Sequence, residues 1–391
     1  MSLQLNQLVG LWGYTQYVAP GGVYASGGTL GVTAVVVGGN SSPFVTGYPF
    51  TEGSGYGTKY SNPASATVAS ISLVFLTDKV GSGEVPQWVL TGRTSTPYID
   101  AYDWTDASGF GTKLTAISGK SSNTTYMATR DDVADASQTQ VVMFSTSAAG
   151  RLDAWDFNRS GSWGSKITSP SPAPANQVQG GGVSTGLDYV AYNVSASPYS
   201  EAFPFTGTWG TKVTAISGRP GATNGGNGSS FTNGDGDVIY GHSSDGSTLS
   251  DAHSWSSGWG SKRTSASQPT NIIPNTAYHQ HVGKSQGETA TFQGHDNNGT
   301  VKGLQAWQYT AGTGWGSNYT VAPSLPAGGG RTPSMSKLQT TVLMGSSPSP
   351  YIFAWPFDQT SGFGTKVSNP ASLPPGSSNA CAISSPQDGN R

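Results

Sequence analysis

The chain has 391 residues, a formal net charge of −2 and a charged fraction of only 10%, where soluble domains have roughly 25%. The near-neutral charge and the lack of a basic run argue against nucleic acid as a partner, because phosphate binding needs clustered lysine or arginine. No apolar stretch is long enough for a membrane-spanning helix, so we expect no membrane insertion.

The first segment, residues 1–28, carries apolar side chains among glycines and has no charged residue. We predict that it forms an N-terminal arm. One interpretation is an extra strand or cover packed on the rest of the chain. The other is a docking segment that binds another protein through Trp12, Tyr14 and Tyr17, since aromatic residues are common interface anchors.

Residues 29–391 contain a motif that occurs seven times. Two aromatic residues flanking a single residue are followed by a run of the type Gly-aromatic-Gly-Thr/Ser, and six of the seven runs end in lysine. The period is roughly 50 residues, the length of a four-stranded propeller blade. The aromatic residues of the second run are Tyr56, Phe110, Trp163, Trp209, Trp259, Trp315 and Phe363.

The residues around each motif have the pattern of short strands separated by turns. In the last repeat, 340–344, 351–357 and 363–368 are predicted strands, and the Ser/Pro cluster at 346–350 is a predicted turn. No window has apolar residues at helical spacing for three turns. The sequence therefore predicts an all-β chain with almost no helix: a seven-bladed β-propeller over residues 29–391, with four antiparallel strands per blade.

The two ends of the repeat region predict how such a ring closes. The first repeat begins at its second strand, residues 32–37, while an extra strand-like fragment, residues 379–384, follows the last repeat. We expect this C-terminal strand to complete the first blade, because pairing removes exposed strand edges. Cys381 lies in that fragment and is expected to be a small buried residue.

The repeated aromatic residues are interpreted as packing groups. Alternate residues of a strand point to the same face, so each aromatic pair forms an apolar stripe, and the aromatic residue of the second run fills the gap between blades. The repeated lysine is expected to lie along this gap with its ammonium in water. Because these residues recur in nearly every repeat, they predict blade packing rather than chemistry.

Few residues suggest a reaction centre or a metal site. His279 and His281 fall on one strand face, but no carboxylate stands at a fixed spacing from them. The loop 233–237 resembles a calcium loop without its closing glutamate and is better explained as a hairpin turn. The acidic loop that follows Asp131 is expected to be solvated. We therefore predict no catalytic residue, no metal, no cofactor and no enzyme activity.

Two segments resemble a known repeat type. Residues 362–371 read GFGTKVSNPA and residues 55–64 read GYGTKYSNPA, which is similar to the GFGTKYANPA-type propeller repeats of structural proteins of tailed bacteriophages. The resemblance covers residue 29 to the end and implies a propeller and a virion context. The sixth repeat departs from the pattern, with Asn318 in place of the lysine.

The expected function follows from this resemblance and from composition. Cys381 is the only cysteine, and residues 1–6 lack the positive region of a secretory signal. We therefore expect assembly in the host cytoplasm, release by lysis and localisation to the virion. The prediction is a non-enzymatic bacteriophage virion structural protein, such as a decoration, fibre or tail-tip component, with other virion proteins and a host-surface glycan as partners. A lectin-like propeller and a propeller glycan hydrolase are the alternatives.

Overall fold

The chain divides into two units, Met1–Leu30 and Gly31–Arg391, and only the second contains described residues. The predicted arm, with Trp12, Tyr14 and Tyr17, lies outside them and stays a prediction. The computed structural model describes residues 34–64, 66, 68–76, 87–131, 138–146, 151–174, 176–184, 188–213, 216, 229–231, 236–241, 250–263, 281–282, 288–295, 302–325, 330–335, 340–358 and 360–384.

Within these ranges the chain forms strands and turns and no helix, which confirms the all-β prediction. The strands form seven antiparallel sheets in the described part of the chain, numbered here in chain order. Sheet 1 contains β27 (Ser378–Ser384), β1 (Ala34–Gly39), β2 (Val45–Thr51) and β3 (Gly55–Tyr56); sheet 2 contains β4 (Ser70–Leu76), β5 (Gln87–Arg93), β6 (Ile99–Thr105) and β7 (Gly109–Lys113); sheet 3 contains β8 (Tyr126–Asp131), β9 (Gln138–Phe144), β10 (Leu152–Asn158) and β11 (Ser162–Ile167).

The remaining four sheets follow the same order, in which successive strands pair with each other. Sheet 4 contains β12 (Val178–Val183), β13 (Tyr189–Val194) and β14 (Ser200–Pro204); sheet 5 contains β15 (Ser229–Phe231), β16 (Asp237–Gly241), β17 (Ser250–Trp255) and β18 (Trp259–Lys262); sheet 6 contains β19 (His281–Val282), β20 (Glu288–His295), β21 (Lys302–Thr310) and β22 (Gly314–Asn318); sheet 7 contains β23 (Gly330–Met335), β24 (Thr341–Ser346), β25 (Ile352–Asp358) and β26 (Gly362–Phe363).

Sheet 4 departs from the prediction of four strands per repeat. Its described residues form three strands, and the position of the fourth is held by a single bridge between Phe205 and Trp209. The other six sheets each have four strands. Four strands in every repeat is therefore not confirmed.

The middle strands are buried on both faces because each sheet packs against a neighbour on either side. In β9, every residue from Thr139 to Phe144 is buried, including the polar Thr139 and Gln140. Burial on both faces explains why the sequences of the middle strands are nearly continuous apolar runs and do not alternate between apolar and polar residues.

The C-terminal strand β27 pairs antiparallel with β1. Val35 lies opposite Ile383 and Val37 lies opposite Cys381. Cys381 is buried in a cluster with side chains of β1 and with Leu343 of sheet 7. Residues from the two ends of the repeat region thus form one sheet.

The thiol of Cys381 provides a probe of this pairing. Burial raises its pKa to about 12, so both access and ionisation are suppressed at neutral pH. We expect a thiol reagent at pH 8 to label the native protein at least about a thousandfold more slowly than the unfolded chain, since labelling requires β27 to open. Rapid labelling of the native protein would show that β27 does not stay paired.

Successive sheets are joined by apolar clusters and by polar contacts between sheets. Trp88 of sheet 2 donates its indole N–H to the backbone oxygen of Arg159 in sheet 3, at 2.9 Å. The hydroxyl of Tyr309 in sheet 6 donates to Asp237 of sheet 5, also at 2.9 Å. The first strands contact one another in the order β27, β4, β8, β12, β15, β19 and β23, and β23 contacts β27.

Candidate functional site: the groove between sheets 2 and 3

The seven aromatic residues predicted to pack between blades occupy equivalent positions. Each lies against the second aromatic residue of the preceding pair in its own sheet, with ring centroids 4.4 to 5.1 Å apart. These contacts belong to the core. The seven residues are Tyr56, Phe110, Trp163, Trp209, Trp259, Trp315 and Phe363.

Four consecutive sheets also carry a buried carboxylate that the sequence interpretation missed. It is the second residue of the strand that bears the aromatic pair, and it binds the repeated lysine that follows in the same repeat. The lysine side chains stay 24 to 43% exposed, so each ammonium group lies between a buried carboxylate and water. The pairs are Asp100 with Lys113 at 2.9 Å, Asp153 with Lys166 at 3.0 Å, Glu201 with Lys212, and Asp251 with Lys262 at 2.9 Å.

A short sequence signal could have identified these acids. In repeats 2 to 5 an Asp or Glu and an Ala precede the first aromatic residue or histidine of the pair, as in Asp153-Ala154-Trp155. In the first and last repeats the same position holds Thr46 and Phe353. The acid is therefore a property of one part of the repeat array and not of blade packing in general.

A groove of about 550 Å³ lies between sheets 2 and 3. One wall is the segment 114–118, which follows the last strand of sheet 2, and the other is residues 161–166 of sheet 3 with Trp155. At the turn before β11, Gly161 has a φ of +106°, and a Cβ there would come within 2.8 Å of the Trp88 ring. Only glycine permits this close approach, which fixes the spacing of the two sheets beside the groove.

The groove combines a cation, an aromatic ring and hydroxyl groups. The Lys166 ammonium lies 5.0 Å from the centroid of the buried Trp155 ring, and its side chain is 35% exposed. Trp163 is half-buried and lies edge-to-face against Phe157. Ser162 and Ser165 also line this side. A polar ring with an electron-rich oxygen fits such a surface.

Asp153 holds the Lys166 side chain in place from beneath the groove. Its carboxylate is fully buried and accepts hydrogen bonds from Ser169 at 3.0 Å and from the ammonium of Lys120 at 3.4 Å. Burial lowers the pKa of Lys120, and the Asp153 carboxylate opposes that shift. Because the Asp153 oxygens are occupied, its role is to position the lysines rather than to contact a ligand.

The other candidate sites give little support for metal or acid–base chemistry. His279 and residues 233–235 of the proposed calcium loop lie outside the described residues, as does the acidic loop beyond Asp131. Asp237, at the end of the calcium-like loop, is engaged by Arg263 at 2.7 Å. In the described ranges no group of three or more His, Cys, Asp or Glu side chains is placed to hold a metal, and no helix there has the length and apolar character to span a membrane.

Comparison with known proteins adds information at the level of fold. No family model and no curated protein matches the sequence. Solved structures do match. One is a candidate 6-phosphogluconolactonase from Bacteroides uniformis, which has a TM-score of 0.63 and 11% identity, and the match covers 90% of this chain and 99% of that one. A second one, from Bacteroides fragilis, has a TM-score of 0.61 and 10% identity, and the match covers 90% of this chain and 97% of that one. The periplasmic gluconolactonase of Pseudomonas aeruginosa has a TM-score of 0.56 and 12% identity, with coverage of 90% of this chain and 99% of that one. The shared fold is the β-propeller.

These similarities correct the predicted function. The prediction of a non-enzymatic virion structural protein is contradicted, because the three propellers that match nine-tenths of this chain are named as lactonases, which are enzymes. The prediction that the chain is not an enzyme is contradicted by the same finding. The phage-repeat resemblance, virion localisation and virion or glycan partners stay predictions that nothing here tests.

Proposed function

We propose that the seven sheets are the blades of one closed β-propeller, whose first blade is completed by the C-terminal strand. The succession of contacts between first strands, including β23 with β27 and β27 with β4, supports a closed ring. So does the cluster that joins Leu343 and Ile352 of sheet 7 to Val35 and Tyr48 of sheet 1. Closure of this kind leaves no inner sheet edge unpaired.

On this fold the chain is a hydrolase that opens a cyclic sugar ester, a lactone, in the groove between sheets 2 and 3. The observation that carries the proposal is the match of nine-tenths of the chain to propellers named for lactone hydrolysis. At a sequence identity of 10 to 12%, the site residues of those proteins cannot be carried over to this chain. The site is therefore assigned from this chain's own groove.

The groove residues have distinct roles in the reaction. The sugar ring lies against the exposed part of Trp163, and the ester carbonyl oxygen accepts a hydrogen bond from the Lys166 ammonium. Water adds to the carbonyl carbon, the bond from that carbon to the ring oxygen breaks, and the products are a carboxylic acid and a hydroxyl group. Lys166 stabilises the negative charge that develops on the carbonyl oxygen during addition.

Replacing Lys166 with methionine tests this assignment. We expect kcat/KM for D-glucono-1,5-lactone to fall about a hundredfold, as for the loss of one donor to a developing oxyanion. The rate is measured as acid released in a pH-stat, after subtraction of spontaneous ring opening. Asp153 keeps its contacts with Lys120 and Ser169 in the variant, so the fold is retained.

The matched control is Lys212→Met, which removes the equivalent lysine of sheet 4, where the partner is Glu201. Its lactone turnover is expected to equal that of the unmodified protein. If the unmodified protein shows no hydrolysis above the spontaneous rate, or if the two variants lose activity equally, this function or its assignment to the groove is wrong.

A further inference from the structure

We propose that the groove between sheets 2 and 3 is a binding site for sugar carboxylates, and that it prefers them to neutral sugars of the same shape. The inference rests on the proposed function, since it names the ligand class of that same groove. A sugar acid is also what lactone opening forms, so the preferred ligands include the product of the reaction.

The Asp153 carboxylate is surrounded by positive charge. Two ammonium groups, those of Lys120 and Lys166, lie at 3.4 and 3.0 Å from this one carboxylate. Asp156, the next acid along the strand, lies an odd number of residues from Asp153, so its side chain leaves the other face of the strand. Its Cβ packs against Gly164. Since one carboxylate cannot balance two ammonium groups, the cluster carries a surplus positive charge.

The surplus is available to a ligand only at Lys166. The side chain of Lys120 is fully buried beneath the groove, whereas that of Lys166 is 35% exposed and lines it. Lys120 therefore acts through Asp153: it takes up part of the carboxylate's charge and leaves Lys166 less neutralised. An anion that enters the groove neutralises the remaining positive charge of Lys166.

The equivalent position in sheet 4 provides the comparison within the same chain. There Lys212 pairs with Glu201, whose other hydrogen-bond donor is the uncharged hydroxyl of Tyr192. One ammonium against one carboxylate leaves no surplus. The repeated lysine is thus present in both sheets, but only in sheet 3 does a buried lysine share its carboxylate. In sheet 2 the buried Arg93 has the corresponding place, beside Asp100 and Lys113.

The size of the surplus and the groove walls indicate which anion fits. A carboxylate carries one negative charge and matches a single surplus positive charge, whereas a phosphate group carries closer to two at neutral pH. The half-buried Trp163 ring and the hydroxyls of Ser162 and Ser165 suit a sugar ring beside that carboxylate. The ligand is therefore a sugar with a carboxylate substituent.

Binding of D-glucuronate and D-glucose to the intact protein tests the proposal, because these two sugars differ only in a carboxylate. We expect glucuronate to bind about tenfold more tightly in low salt, measured by tryptophan fluorescence and ligand-observed NMR. Raising the salt concentration should weaken glucuronate and leave glucose unchanged.

Three variants separate the roles of the lysines. Lys166→Met should abolish the preference for glucuronate. Lys120→Met should reduce it severalfold although Lys166 is still present, because Asp153 then neutralises Lys166 alone. Lys212→Met should leave it unchanged. Equal affinity for the two sugars, no saturable binding of glucuronate, or a preference that survives Lys166→Met would overturn the proposal.

This result is independent of lactone turnover. A preference for glucuronate without lactone hydrolysis would support the carboxylate site and contradict the proposed enzyme function. A protein that hydrolyses lactones without a charge preference would keep the enzyme function and lose the carboxylate site.

Discussion

Removal of residues 378–391 is expected to leave the chain without a stable fold. The deletion takes away β27, exposes the edge of β1 and uncovers the apolar surface that Ala380, Cys381 and Ala382 bury. The lost ladder bonds and burial amount to about 5 kcal/mol or more, which is comparable to the whole stability of an ordinary protein. The measurement is the denaturant midpoint and the soluble monomer yield.

A shorter deletion serves as the control. Removing only residues 385–391 leaves β27 in place and should leave the denaturant midpoint nearly unchanged. Addition of a synthetic peptide covering residues 374–391 to the long deletion should restore part of the lost stability. A long deletion that folds as well as the control would show that the C-terminal strand does not hold the first blade together.

Replacement of Asp153 with asparagine is expected to cost about 3–5 kcal/mol of unfolding free energy, because it leaves the buried Lys120 ammonium without its counter-charge. Without the carboxylate that opposes it, desolvation lowers the pKa of Lys120 further. A lysine whose folded-state pKa lies below the unfolded value binds fewer protons when folded. The variant should therefore gain stability as pH rises from the lowered pKa towards 10.5.

Asp251→Asn is the matched control for that effect. Asp251 pairs with Lys262, whose side chain is 43% exposed, so water can solvate the released ammonium. We expect a loss of about 1 kcal/mol, as for partly exposed pairs. Urea unfolding of both variants at several pH values provides the comparison. Equal losses in the two variants would mean that Lys120 is not the buried charge on which Asp153 acts.

The repeat motif allowed much of the fold to be predicted. In every sheet except sheet 4 the last strand begins within the predicted run, and the C-terminal fragment at 379–384 lies within the observed β27. Both signals are local, because they depend on turn chemistry and alternation along a single strand. The missing fourth strand of sheet 4 gave no such signal, since its repeat contains the same motif at Trp209.

The repeat motif does not predict the candidate site, for a different reason. Lys120 lies in the segment after sheet 2 but acts on Asp153 of sheet 3, and only tertiary packing brings the two together. The acid could have been noticed, since it recurs before an alanine and an aromatic residue or histidine in four repeats. A lysine that is expected to be solvated gives no reason to predict a buried partner for it.

The functional prediction was wrong because it inferred a function from a repeat resemblance and from composition, neither of which identifies chemistry. A weakly charged surface rich in Gly, Ser and Thr affects the solubility of the protein and its non-specific association. It does not distinguish a structural subunit from an enzyme, and the fold alone does not either. The proposed enzyme function is therefore assigned from local features, the Lys166 ammonium and the half-buried Trp163 ring, which line the same groove.

The most direct test of the proposed site is a crystal structure of the protein with D-gluconate, the acid formed when the lactone opens. The expected result is gluconate in the groove between sheets 2 and 3, with a carboxylate oxygen about 3 Å from the Lys166 ammonium and the sugar chain against Trp163. Gluconate bound elsewhere on the protein, with the groove empty, would contradict the account.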